Sequence, residues 1–256
     1  MWKIFKYKFL RDWRGTFVWI YTFLIFSLTS GIGFFTSDPA KTVSSILSFL
    51  VLLIPLILLL FTVIDYYNDK DFISLILSYP IGREDVFLGK TISRILSLSL
   101  AWTSGYLLPM ILKGWFSDAV FWLYLAGLIL TFSIVPIGLL FGILCDEKIT
   151  GISLAVIFWF SVTILYDTVI LLISLNFSEY PVEKVVIPLI FLNPVDLARI
   201  LVVRSLDIAA LMGYTGALFD EIFKGILGLF LILLSLSIWT ILPTYLAYNI
   251  FKKKDF

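Results

Sequence analysis

Apolar residues in this chain come in long blocks rather than in the alternation of a half-buried strand. A bilayer core takes about 20 such residues in one helix. Six blocks reach that length: Phe17–Phe35, Val43–Ile64, Ile92–Leu112, Ala119–Leu144, Gly151–Ser174 and Gly225–Ala247. The pattern predicts six transmembrane helices. A further apolar region, Val185–Phe219, is broken by Pro188, Asn193-Pro194, Asp196, Arg199, Arg204 and Asp207. A single span there would bury charges at about 2.5–3.5 kcal/mol each. The interruptions therefore predict a broken outer helical hairpin over 176–224, re-entrant or periplasmic, packed against the bundle.

Residues 1–14 carry a different pattern. Trp2, Phe5, Phe9 and Trp13 share one narrow arc at about 100° per residue, with the basic residues elsewhere. This predicts an N-terminal amphipathic elbow helix lying on the inner leaflet; the alternative is a solvated basic extension of the first span. The first apolar block is too long for the core of a signal peptide, and no A-x-A-like site follows it.

Most of the Lys and Arg residues fall on one side of the six spans. That side holds the basic N-terminus, the connection after the second span, Lys148, and the tail Lys252–Lys254. The positive-inside rule makes this side cytoplasmic, with both termini inside, and an even number of spans requires the same. The expected location is a bacterial or archaeal cytoplasmic (inner) membrane.

Composition changes the picture by exclusion. The chain of 256 residues is 61% hydrophobic and 14% charged, against roughly 45–50% and 25% in soluble domains. A single all-α transmembrane domain over 1–256 accounts for that; a soluble fold could not hide so much apolar surface. With 19 Lys+Arg against 18 Asp+Glu, no net charge draws the chain to nucleic acid. There is no histidine, the one cysteine is Cys145, and methionine stands only at 1, 110 and 212. These absences argue against a metal site and against Ser-His hydrolysis in its usual form.

Two apparent motifs fail on inspection. Six residues separate Gly82 from Gly89, and Glu84 stands where a phosphate loop needs its first glycine. Tyr166-Asp167 has the look of half an intramembrane aspartyl protease site, but no Gly-x-Gly-Asp supplies the second carboxylate. An interfacial or capped aspartate is the simpler reading of Asp167.

Two connections carry candidate function. The cytoplasmic segment 65–91 contains the apolar run Phe72–Leu77, then Pro80 and Gly82, with Arg83, Glu84 and Asp85 expected on the surface. It reads either as a docking surface for a soluble partner or as a solvated loop. In the outer segment, Asn193 before Pro194 is a helix start. Asp196 with Arg199, and Arg204 with Asp207, are spaced three apart and can pair on one helix face. The pairs read either as structural ion pairs on a surface helix or as part of an outer gate.

The stretch Leu77-Ser78-Tyr79-Pro80-Ile81-Gly82-Arg83 through Gly89-Lys90 resembles the L-x-x-P-x-x-R-x-x-x-x-x-G-K coupling segment of ABC-2 type permeases. The resemblance covers nearly the whole chain. It implies a transport subunit that is not itself an enzyme, works as a homodimer, and is driven by two cytoplasmic ABC ATPase subunits carrying the ATP and Mg. On this resemblance Phe72, Pro80, Arg83, Glu84, Asp85, Gly89 and Lys90 form the ATPase-coupling set. Asn193-Pro194-Val195-Asp196 with Leu206–Ala217 is similar to permeases that support maturation of nitrous oxide reductase. That similarity implies a periplasmic accessory protein of β-helical type and a sulfur-containing cargo for a copper–sulfur centre. It also implies an outer gate or partner dock at Asn193, Pro194, Asp196, Arg199, Asp207, Tyr214 and Gly216. Export of a lipid, peptide or drug, or a non-transporting scaffold, are the alternatives.

Overall fold

The computed structural model describes residues 2–36, 38–176, 183–206 and 225–254, and every regular element among them is helical. Helix α1 covers Trp2–Arg14, α2 Thr16–Phe35, α3 Pro39–Asn68, α4 Lys70–Leu77, α5 Arg83–Leu112 and α6 Asp118–Leu144. Then come α7 Lys148–Phe160, a π-helical turn Ser161–Leu165, α8 Tyr166–Asn176, α9 Glu183–Ile190, α10 Pro194–Val203 and α11 Ile226–Lys253. Six of these runs are long and apolar enough to cross a membrane: α2, α3, α5, α6, Lys148–Ile173 and α11. They coincide with the six apolar blocks.

The helices outrun the blocks at one end. α3 continues through Asp65 to Asn68, and α5 begins at Arg83, so the connection between them is mostly helix. Only Ser78–Gly82 lies between α4 and α5 outside regular structure. Helix starts follow local chemistry. The Asp38 side chain accepts from Ala40 N ahead of Pro39, and Ser117 accepts from Val120 N.

α6 lies at the centre, packed by α3, α5, α10 and α11, while α2 and α1 pack on α5 and α7 on α3. Close approach is set by small residues. A Cβ on Gly127 would lie 2.2 Å from the Trp102 ring, so only glycine lets α5 and α6 meet there. Trp102 Nε1 then donates to Tyr124 O at 3.0 Å and Tyr106 Oη to Val120 O at 3.0 Å, which satisfies both polar handles inside the bundle. Pro55 leaves Val51 O without its helical donor, and the next carbonyl, Leu52 O, accepts from Trp159 Nε1 at 2.8 Å, which ties the fifth span to α3. The α7–α8 run and α11 keep large apolar side chains outward, Ile157, Leu171, Phe230 and Ile241 among them. Lipid is the solvent that suits such faces.

α1 is helical with Trp2, Phe5, Phe9 and Trp13 stacked in a ladder, at centroid spacings of 5.1, 5.8 and 6.3 Å. Its opposite side is not left to water, because Lys8 and Asp12 are buried. In the segment predicted as a hairpin, α9 and α10 are short, Pro188 lies inside α9, Pro194 opens α10, and α10 is buried along most of its length. Asp207, Tyr214 and Gly216 lie outside the described residues.

Candidate functional site

The chain gathers its charged chemistry at one end of the bundle, called here the α4 end. Lys8 from α1 places Nζ 2.7 Å from Asp12, 2.9 Å from Asp65 and 2.6 Å from Asp69. Asp69 also takes Lys90 Nζ at 3.1 Å and pairs with Arg11. Arg94 donates to Phe61 O at 2.9 Å and faces Asp65 at 3.9 Å. Three carboxylates thus meet four formally cationic side chains from α1, α3 and α5. Lys8, Asp12, Asp69, Lys90 and Arg94 are buried, so they are held by their partners rather than by water. Gly89 makes the junction possible: a Cβ there would stand 3.2 Å from Ile4 Cγ2 and 3.3 Å from Phe5 N on α1. A cavity of about 210 Å³ between α1, α2, α3 and α5 is lined by Arg11, Asp12, Asp65 and Arg94.

Beside this cluster the structure divides the predicted coupling residues into two groups. Leu75, Tyr79 and Ile81 are 59%, 60% and 37% exposed, and Pro80 and Glu84 are exposed with them. Phe72 is half-buried, stacked on Tyr7 of α1 with Arg11 over its ring. Gly89 and Lys90 point inward to α1 and to the Asp69–Tyr66 environment. The expectation of exposed Arg83 and Asp85 needs correction, since both are half-buried. For Arg83 the reason is clear: its Nη1 donates to Lys252 O and Lys254 O, both at 2.8 Å. The outward surface is therefore more apolar than the sequence implied.

The second set lies in the half of the bundle remote from α4. Asn193 Oδ1 accepts from Val195 N at 2.9 Å and Asp196 N at 3.4 Å, the helix start read from the sequence. Its Nδ2 donates to Asp196 Oδ2 at 3.0 Å and to Val162 O at 2.8 Å. Val162 belongs to the π-helical turn, a widening that often marks functional positions. Arg199 pairs with Asp196 at 2.6 Å, as its spacing predicted, and also forks onto Asp167 at 3.0 and 3.4 Å. Asp167 is therefore an ion-paired aspartate, the fifth span's link to α10. Burial, offset in part by Arg199 and reinforced by Asp167, pushes the Asp196 carboxyl up to about 6. Pro194 opens α10 at its first turn and is buried. Sequence reasoning missed Lys8, Asp12, Asp65, Asp69 and Arg94 as a set, and the Asp167–Arg199 pair.

No group of three His, Cys, Asp or Glu side chains able to hold a metal ion occurs among the described residues. Helices as the only regular elements among the described residues, six runs able to span a bilayer, and charged connections gathered at one end mark a multi-pass membrane protein. The family model described as "ABC-2 family transporter protein" matches residues 69–256, and the chain belongs to that family. It is 30% identical over 184 residues to the "Probable ABC transporter permease protein NosY" of Stutzerimonas stutzeri, covering 65% of this chain and 64% of that protein. It is 27% identical over 231 residues to the protein of the same name from Pseudomonas aeruginosa, covering 86% and 82%. The match thus spans just under two thirds of the first relative's length.

Proposed function

We propose that this chain is the membrane-spanning subunit of an ATP-driven transporter, and that a separate ATPase seats on Leu75, Tyr79, Pro80 and Ile81. The observation that carries the reading is that exposed apolar patch. It sits on a short helix and turn whose other side is fixed to α1 and α5. Such a patch, rimmed by charge, is what a soluble partner needs. The chain has no phosphate loop, so the ATP and Mg belong to the partner. The α4 end is then cytoplasmic, with both termini and the elbow helix α1 on that side, in the inner membrane.

The same reading extends to the assembly. Two copies of this chain, two ATPase subunits and a periplasmic β-helical protein at the α10 end would act together. Their task would be to supply a sulfur-containing species for the copper–sulfur centre of nitrous oxide reductase. Its support is the likeness of the Asn193–Asp196 and Leu206–Ala217 segments to permeases of that kind, together with the two relatives above. Mild-detergent purification of the tagged chain from its native membrane, with mass spectrometry and an ATPase assay, tests both levels. An ABC ATPase with a β-helical periplasmic protein supports the full reading. An ATPase alone removes the maturation task, and none under conditions that preserve known complexes removes the transporter.

A further inference from the structure

At the α4 end, α11 finishes between two other helices. Arg83, the first residue of α5, donates to the carbonyls of Lys252 and Lys254, which the last turn of α11 leaves without intrahelical partners. Glu84 accepts from Tyr248 Oη, and the Phe87 ring packs on Tyr248 and Phe251 at 5.6 and 5.5 Å. From the far side of the same tail, Lys254 Nζ donates to Ile143 O at 2.6 Å and Cys145 O at 3.5 Å and pairs with Asp146 at 2.9 Å. Ile143 is in the last turn of α6, so this ammonium meets a carbonyl short of a donor and the negative end of a helix dipole, while Cys145 O also accepts from Tyr67 Oη. The Lys254 bond also holds the exposed Asp146 carboxyl below its ordinary value.

The tail of α11 is thus gripped from α5 by Arg83 and grips α6 by Lys254. The exposed turn Ser78–Gly82 runs directly into Arg83. At the other end α10 packs on both α6 and α11, and Ser235 of α11 donates to Phe191 O at 2.9 Å. We infer that Arg83 and Lys254 are positioning residues that tie the ends of α5, α6 and α11 into one unit. A displacement of the Tyr79–Gly82 turn then reaches α10 through α6 and α11. The inference rests on the proposed seating of an ATPase at that turn.

The test uses the purified complex in lipid nanodiscs and follows amide hydrogen exchange with and without ATP. With the native chain, ATP alters exchange over residues 194–203. Lys254→Ala should leave ATPase copurification intact and reduce that response on the order of tenfold, the scale of a lost hydrogen bond to a charged group. Joining Lys254→Cys to the native Cys145 with a short bifunctional thiol reagent should restore it. An undiminished α10 response in Lys254→Ala with the ATPase bound overturns the inference. The same chain without a partner gives an independent arm, with Arg83→Gln as a second variant. Arg83→Gln should speed exchange at 87–90 and 248–253 together, and Lys254→Ala at 140–145 and 248–253 together. If only the segment carrying the substitution responds, there is no tie. Absence of any ATPase from the native preparation counts instead against the proposed function, and the partner-free arm still decides whether the tie exists.

Discussion

Replacing Asp69 by Asn separates the charge of the α4-end cluster from its shape. The Asp69 carboxylate lies 2.6 Å from Lys8 Nζ and 3.1 Å from Lys90 Nζ, pairs with Arg11, and is 3% exposed. Asparagine keeps the volume and one carbonyl oxygen but withdraws the negative charge that three cations share. Removing one partner of a buried ion pair costs about 3–5 kcal/mol, because the remaining charge cannot reach water. Lys8 keeps Asp12 at 2.7 Å and Asp65 at 2.9 Å, so the low end, about 3 kcal/mol, applies. At about 2–4 °C per kcal/mol for a chain of this size, thermal unfolding in nanodiscs should fall by roughly 6–12 °C. Asp71→Asn, an exposed change on α4, should stay within about 0.5 kcal/mol. Adding Lys90→Met to Asp69→Asn should recover part of the loss, since it removes one of the stranded cations. Equal shifts for Asp69→Asn and Asp71→Asn would refute the reasoning.

Three further outcomes follow from other contacts. Gly127→Ala should destabilise by about 1–3 kcal/mol through its clash with Trp102, whereas Gly31→Ala, where a Cβ meets nothing within 4 Å, should not; unfolding midpoints compare them. The Asp196 carboxyl is raised in the folded state to about 6, so the fold holds a proton that the unfolded chain releases. Stability of the α10 region should therefore fall as pH rises from about 4 through 6 and level off above that. Hydrogen exchange over 194–203, corrected for intrinsic rates, reads this, and Asp196→Asn should flatten it. Leu75→Asp combined with Tyr79→Asp should cut ATPase copurification roughly tenfold, by desolvating new charge at a contact, with the unfolding midpoint unchanged.

The sequence made some features legible and concealed others for physical reasons. Six spans were readable because about 20 apolar residues in a row admit few alternatives. Asn193-Pro194 and the Asp196–Arg199 pair were readable because caps and three-residue spacings act locally. The Lys8 cluster was not. It joins residues 57 apart in Lys8–Asp65 and 81 apart in Asp12–Ser93, and amphipathic periodicity cannot say that a helix's polar side faces protein rather than water. Asp167 hid its partner for the same reason, since Arg199 lies 32 residues on. The coupling motif misled in one respect. Arg83 and Asp85 look like surface charges in the polar triplet 83–85, yet both are half-buried, and Arg83 turns to carbonyls at the end of α11 that lie 169 and 171 residues on.

A photo-crosslinking amino acid at position 79, compared with one at position 192, tests the central claim most directly. Both side chains are about equally exposed, at 60% and 62%, in opposite halves of the bundle. The account predicts that position 79 captures an ABC ATPase in native membranes and position 192 does not. Capture of the ATPase from position 192, or its copurification without any crosslink at position 79, would contradict it.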